Sequence, residues 1–353
     1  MDYIAHINKT DNSFKIQSLL SHLNGTSNLS GQFTDSFKNG EWGRLLGLWH
    51  DLGKLSKDFQ DYIKVNSGYE EDDQKKSKTD HTSTGAIFAK EMLPQCWPPL
   101  AYCIAGHHAG LLNYFSELGI SGDLQSRLKK QEFYERIKEA IPESLKQFEP
   151  LNLPTGKSLP PEQMHLWIRM LFSCLVDADY LDTESFMNPE SFQKRGKYQK
   201  ISELNPLFKN HMLRLSQNAP DTDVNSIRNE ILKHCIGSGT LSPGFFSLTV
   251  PTGGGKTLSS MAWALEHAVK YQKSRIVYAI PYTSIIIQTA QIYREIFGEA
   301  NVIEHHSNID EETDLQERKL AAEVEGGSNR TIMELKWKRA GGYQWFFAVP
   351  IAP

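Results

Sequence analysis

Twelve histidines among 353 residues are a generous supply of imidazole, and their neighbours say more than their number. His50-Asp51 reads as lying in a helix whose other face is apolar, and His22 borders the stripe Ile16, Leu19, Leu20 and Leu23. Asp80-His81 stands at a helix start, His107-His108 ends the apolar run over 102–105, and Asp177 and Asp179 lie on a later helix. Imidazole nitrogens and carboxylate oxygens offered from several helices, with no thiolate among them, suit manganese, nickel, cobalt or iron better than structural zinc. The set offers more donors than one ion needs. A carboxylate shared by two ions about 3.5 to 4 Å apart serves phosphoester hydrolysis, because both the attacking and the leaving oxygen are then stabilised.

A second chemistry lies downstream. The β-rich run 246–250 leads into Pro251-Thr252-Gly253-Gly254-Gly255-Lys256-Thr257 and then a helix. This is the context of a phosphate-binding loop: backbone N–H groups cradle phosphates, Lys256 reaches the β and γ phosphates, and the Thr257 hydroxyl ligates magnesium. Gly253, Gly254, Gly255, Lys256 and Thr257 are the candidate nucleotide site, for ATP with magnesium. Val250 stands where the general pattern has its first glycine. A look-alike at Leu153-Pro154-Thr155-Gly156-Lys157-Ser158 is followed by Pro160-Pro161 instead of a helix and reads as a loop.

These groups need two different scaffolds. Up to about residue 182 the apolar residues recur at i, i+3, i+4 and i+7, as in Trp42, Leu45, Leu46, Trp49 and in Trp167, Met170, Leu171, Cys174, Ala178, so the first part is expected to be all-α. Polar stretches at 66–80 and 149–161 read as surface loops. Residues 183–244, punctuated by Asn188-Pro189, Asn205-Pro206, Ala219-Pro220 and Gly237-Ser238-Gly239, read as a connector with short helices. From 245 the period changes to strand, helix, strand, helix, strand (245–250, through 269, 275–280, 284–297, 301–304), which implies a parallel α/β sheet. The expected division is therefore 1–182, 183–244, 245–322 and a divergent tail 323–353.

Composition narrows the class. Lys+Arg 38 against Asp+Glu 42 gives a net charge of −4, which excludes a wholesale basic coat for packaging DNA but not local nucleic-acid sites. The four cysteines lack CxxC spacing and read as reduced thiols of a cytoplasmic protein. No run approaches the roughly 20 apolar residues of a membrane span, and no basic-then-apolar leader opens the chain.

The ordered series His22, His50-Asp51-Leu52-Gly53-Lys54, His81, His107-His108 and Asp179 resembles the HD phosphohydrolase superfamily. The segments 106–110 (Gly-His-His-Ala-Gly) and 176–182 (Val-Asp-Ala-Asp-Tyr-Leu-Asp) look like the HD nuclease of the CRISPR-associated helicase-nuclease family of type I systems. The resemblance implies that His22, His50, Asp51, His81, His107, His108 and Asp179 hold two metal ions, with Asp51 bridging them and Lys54 neutralising the scissile phosphate. Asp177 competes with Asp179; the latter is preferred because the family places the ligand before an aromatic, here Tyr180. His6 matches a histidine often found near the family's N-terminus and is read as structural.

The loop 251–257 is similar to that of the second helicase superfamily, which would make 245–322 a partial RecA-like lobe. The stretch 280–289 looks like the helicase segment that contacts the DNA backbone, giving Tyr282, Thr283 and Ser284 as DNA-binding candidates. Glu304-His305-His306-Ser307-Asn308 also resembles a family segment, read as a strand-end turn. The Asp-Glu motif of a complete motor lobe is absent, since Asp310-Glu311-Glu312 does not follow an apolar strand. The expectation is a truncated or frame-shifted product whose helicase ATPase does not work.

The function expected from the resemblance is a metal-dependent endonuclease or exonuclease cutting single-stranded DNA in antiviral defence, partnered by a crRNA-guided surveillance complex. The alternatives are an HD phosphohydrolase of nucleotides and a catalytically inactive remnant that docks on DNA or on the complex.

Overall fold

In the computed structural model, residues 3–10, 13–71, 80–116, 122–151, 159–195 and 198–304 are described. The chain divides into two compact units, one ending at Arg195 and one beginning at Gly196.

The first unit opens with an antiparallel hairpin, β1 (Ile4–Thr10) and β2 (Ser13–Ser18), with a bulge between Ile4 and His6. This corrects the all-helical expectation for the N-terminus: Ile16 belongs to β2 and is exposed, as is Leu20. Phe14 and Ile16 alternate with the polar Ser13, Lys15 and Gln17 at strand period, a signal that the helical stripe through Leu19 and Leu23 masks. The free edge of β1 is closed by a side chain, because Gln60 accepts from the Ile4 N–H and donates to the Ile4 carbonyl, both at 2.9 Å.

Helices follow: α1 (Leu19–Asp35), α2 (Gly40–Trp49), a 3-10 turn Leu52–Leu55, α3 (Lys57–Asn66), α4 (Thr82–Met92), α5 (Trp97–Gly106), the short α6 (Leu124–Leu128) and α7 (Gln131–Glu135), the long α8 (Pro161–Met187), and α9 (Pro189–Lys194). Their apolar stripes meet in one core that includes Leu23, Trp42, Leu46, Trp49, Phe88, Ile104 and Leu171. The indole N–H of Trp49 donates to the Leu145 carbonyl at 2.9 Å and that of Trp167 to Asn39 at 3.2 Å, so neither buried donor is left unpaired.

The seam between α1 and α2 is backbone against backbone. A Cβ on Gly47 would lie 2.4 Å from the Ser27 backbone, and one on Gly43 2.4 Å from the Ser30 carbonyl. Glycines at i and i+4 on α2, facing serines on α1, remove the side-chain layer that normally keeps helix axes about 8 to 10 Å apart.

The second unit comprises α10 (Ile201–Asn218), α11 (Asp223–Ser238), α12 (Lys256–Lys270) and α13 (Thr283–Phe297). The expected connector is corrected here. α8 runs on to Met187, and α10 and α11 are full-length helices, with Leu204 and Phe208 of α10 buried in a core shared with Met261, Leu265, Tyr293 and Phe297. The Asn205-Pro206 pair, a turn signal locally, lies inside α10: Pro206 points to solvent while Leu204 and Phe208, four apart, fill the core. Burial of that stripe outweighs the cost of one proline.

Among the described residues the only ladder is β1 with β2. The expected parallel pairing of 245–250, 275–280 and 301–304 is thus not formed, although these segments occur in the expected order between the helices. Their burial still alternates: residues 276, 278 and 280 are half-buried and 275, 277 and 279 exposed, and Ile276, Tyr278 and Val302 pack on the helical core. Parallel strands need cover on both faces, and the outer residues Val277 and Ile303 are left 49% and 75% exposed.

Two glycine substitutions test the seam. Gly47→Ala should destabilise the protein by about 1–3 kcal/mol, because its Cβ meets backbone that cannot rotate away. Gly237→Ala, in α11 with nothing within 4 Å of its Cβ, should be neutral or stabilise by up to about 1 kcal/mol. Denaturant melts that place both on the same side of the parent would refute this account.

Candidate metal centre and phosphate loop

Six elements of the first unit deliver the donors. His22 sits in the first turns of α1, His50 caps the C-terminus of α2, and Asp51 opens the 3-10 turn. His81 occupies the N-cap of α4, His107 caps the C-terminus of α5, and Asp179 projects from α8. The doublet His50-Asp51 therefore lies at a helix end, one step beyond the helix interior expected for it.

The donors form two quartets that share Asp51: His22, His50, Asp51 and Asp179 on one side, Asp51, His81, His107 and His108 on the other. Asp51 Oδ2 faces His22 Nε2 at 3.4 Å and His50 Nε2 at 3.3 Å. Asp51 Oδ1 faces His107 Nε2 at 3.4 Å and His81 Nε2 at 3.7 Å. Asp179 Oδ1 completes the first set, 3.3 Å from His22 Nε2 and 3.4 Å from His50 Nε2. His81 Nε2 and His108 Nε2 lie 2.9 Å apart.

Asp177 and Asp179 separate cleanly. Two residues apart on α8 they face different ways, Asp177 exposed and Asp179 buried.

The electrostatics follow from burying carboxylates among imidazoles. Burial opposes the charged form of His22, but the nearby carboxylates of Asp179, Asp182 and Asp51 outweigh it and raise its pKa to about 10. His50 is raised to about 9, burial again being overcome by Asp51 and Asp179. Asp51 resists the upward push of burial because Lys54, His50, His107 and His22 surround it, and its pKa falls well below the carboxylate range; Asp179 does the same through His50 and His22. His108 is held neutral by burial and by His107 and His81, and His6 by burial, Lys54 and His22.

Lys54 and His6 belong to the same pocket. The buried Lys54 ammonium lies 2.8 Å from Asp51 Oδ2 and 3.5 Å from His6 Nε2. The His6 ring meets the His22 ring edge-on at 4.8 Å. The position of His6 depends on β1, which the helical reading of the N-terminus did not provide.

Divalent cations fit these residues. His22 Nε2, His50 Nε2, His107 Nε2 and both oxygens of Asp51 are buried and make no hydrogen bond of good geometry, so five polar atoms converge on space that protein groups do not satisfy. Donors on one ion at about 2.1 Å stand roughly 3.0–3.4 Å from each other, close to the contacts above.

In the second unit Gly253 and Gly255 take φ of +85° and +76°, the left-handed region that favours glycine, and Gly255 caps α12. Arg228 Nε donates to the Gly253 carbonyl at 2.8 Å, tying the loop to α11. Lys256, the first residue of α12, is exposed and Thr257 half-buried. Tyr282 caps the N-terminus of α13, with Thr283 and Ser284 in its first turn. The look-alike Leu153–Ser158 is described only at its flanks, and His305, His306, Asp310-Glu311-Glu312 and the tail 323–353 lie outside the described residues.

Comparison with known proteins places these two units. Residues 15–179 match the family model of the Cas3 HD domain, and residues 226–334 match that of the DEAD/DEAH box helicases. No curated protein matches the chain. The first match spans His22 through Asp179, and the second takes in the glycine loop with α12 and α13. A Cas3-type HD domain is therefore followed in this chain by the start of a DEAD/DEAH-box helicase, the architecture of the CRISPR-associated helicase-nuclease family.

Proposed function

We propose that the chain is a metal-dependent nuclease that cuts single-stranded DNA, endonucleolytically and then as an exonuclease, in CRISPR antiviral defence. The observation that carries this reading is the division of Asp51: each of its two oxygens faces a separate set of imidazoles, as a carboxylate shared by two cations must. His22, His50 and Asp179 would hold one ion and His81, His107 and His108 the other. The pair, manganese, nickel, cobalt or iron, would supply positive charge for the phosphate oxygens and lower the pKa of water.

The chain's own groups prepare that site. Nε2 of each imidazole is turned inward, and Lys54 fixes one oxygen of Asp51 while adding a charge that opposes the build-up of negative charge on phosphate. Hydrolysis breaks one phosphorus–oxygen bond, with water supplying the new oxygen and a proton passing to the leaving one. In the second unit, the Gly253–Thr257 loop would cradle the phosphates of ATP with magnesium, and Tyr282, Thr283 and Ser284 would meet the DNA backbone. A crRNA-guided surveillance complex is the partner that would deliver the strand, in the cytoplasm.

Circular single-stranded DNA tests the reading, since it has no ends. With manganese or nickel and without ATP the purified chain should linearise and then degrade it, and EDTA should stop both. His50→Ala and Asp51→Ala should each lower cleavage by about 100-fold or more. Metal-loaded protein that leaves the circle intact while hydrolysing nucleotides would replace the nuclease with a small-molecule phosphohydrolase.

Lys54→Gln should keep cation binding but slow cleavage by about 100-fold at saturating metal. Turnover at the parent rate would reduce Lys54 to a counter-ion of Asp51.

A further inference from the structure

Three imidazoles of the first unit solve one problem in two ways. An imidazole that offers Nε2 inward needs an acceptor for the hydrogen on Nδ1, which selects the tautomer and stops the ring from turning. His50 Nδ1 uses the Gly47 carbonyl at 2.8 Å and His107 Nδ1 the Ile104 carbonyl at 2.7 Å. Both acceptors are three residues back and lie in the last turn of a helix, where carbonyls have no intrahelical partner. His22 has no such recourse, because it stands near the start of α1 and the carbonyls one turn back are engaged by the helix itself.

Its acceptor is a carboxylate from another helix. Asp182 Oδ2 lies 2.7 Å from His22 Nδ1. Asp182 is three residues beyond Asp179 on α8, so the two carboxylates share a face and hold opposite nitrogens of the same ring, Asp179 Oδ1 being 3.3 Å from Nε2. Gln17 of β2 donates its amide to the same Asp182 oxygen at 2.8 Å. All three groups are buried, His22 at 0%, Gln17 at 8% and Asp182 at 9% exposure.

The neighbouring helix is shaped for this carboxylate. Gly25 lies three residues beyond His22 on α1, and a Cβ there would fall 1.8 Å from Asp182 Oδ1. A glycine in a helix interior costs about 1 kcal/mol relative to alanine, and here it opens the slot that Asp182 fills.

We propose that Asp182, supported by Gln17 and admitted by Gly25, is a positioning residue that fixes the ring of His22 with Nε2 toward the ion shared with His50, Asp51 and Asp179. The assignment rests on the two-ion reading above. Loss of the carboxylate weakens that ion and spares the one held by His81, His107 and His108.

The test has a metal-free arm and a metal arm, both on the full chain. In EDTA, the low-field Nδ1 proton of the His22 ring, assigned by its loss in His22→Gln, should move upfield in Asp182→Asn. An unmoved resonance overturns the proposal whether or not metals bind. In the second arm, cobalt(II) alone is titrated into the parent, Asp182→Asn, Asp182→Glu and Gly25→Ala, followed by visible absorption and calorimetry. Asp182→Asn should lower the affinity of one ion by about 10- to 100-fold and leave the other unchanged, with Asp182→Glu recovering part of the loss. Gly25→Ala, which keeps the carboxylate but displaces it, should show the same selective loss. Parent affinity for both ions in Asp182→Asn overturns the proposal. A parent that binds no cobalt sinks the two-ion reading instead, and the proton resonance then decides alone whether Asp182 holds His22.

Discussion

The first unit is organised around one carboxylate that could not be buried alone. Asp51 is 1% exposed, and an unpaired charge at that depth costs several kcal/mol even after the surroundings relax. Lys54, three residues on, approaches one oxygen, and His22, His50, His81 and His107 surround both. His22, His81 and His107 come from separate stretches of chain, so satisfying Asp51 requires α1, α2, α4 and α5 to end or pass at one point. The residual mismatch, five buried polar atoms without good hydrogen bonds, is what a pocket that keeps room for cations should show.

That convergence depends on how closely α1 and α2 approach. Gly43 and Gly47 against Ser27 and Ser30 bring the helices together at backbone distance, and the His22 and His50 rings then meet with centroids 5.2 Å apart. A side chain at Gly47 would separate the helices and the two imidazoles with them. Packing and site geometry are therefore one constraint here, and the small residues of this seam answer to the histidine–aspartate cluster as much as to the core.

The cluster of histidines and aspartates was legible in the sequence because those residue types recurring at the ends and edges of several apolar helices, without cysteine, serve few purposes besides holding cations. The phosphate loop was legible because its glycines sit where a helix must begin. The hairpin was not, since residues 13–18 alternate at strand period while running straight into the apolar stripe of α1, and one pattern hid the other. The helices α10 and α11 were hidden by proline and glycine cues whose local meaning is a turn; only the burial of Leu204 and Phe208 reverses it. The extended, strand-like run 275–280 was legible, whereas the absence of a ladder was not, because pairing depends on a neighbour that no local pattern describes. Asp182 escaped notice for a similar reason: its role lies in a contact with a residue 160 positions earlier.

Where a ligand sits along its helix decides what must support it. His50 and His107 end their helices, and the spare carbonyls of the last turn orient them without any further side chain. Such ligands can be supplied by any helix that stops at the right place, which is a modest demand on sequence. A ligand inside a helix has no spare backbone, so His22 needs a second carboxylate, a glutamine to steady it and a glycine to make room. Interior placement therefore concentrates dependence on distant residues. It also accounts for the two aspartates that α8 carries one turn apart on one face: Asp179 faces Nε2 of His22, and Asp182 keeps that nitrogen where Asp179 can share it.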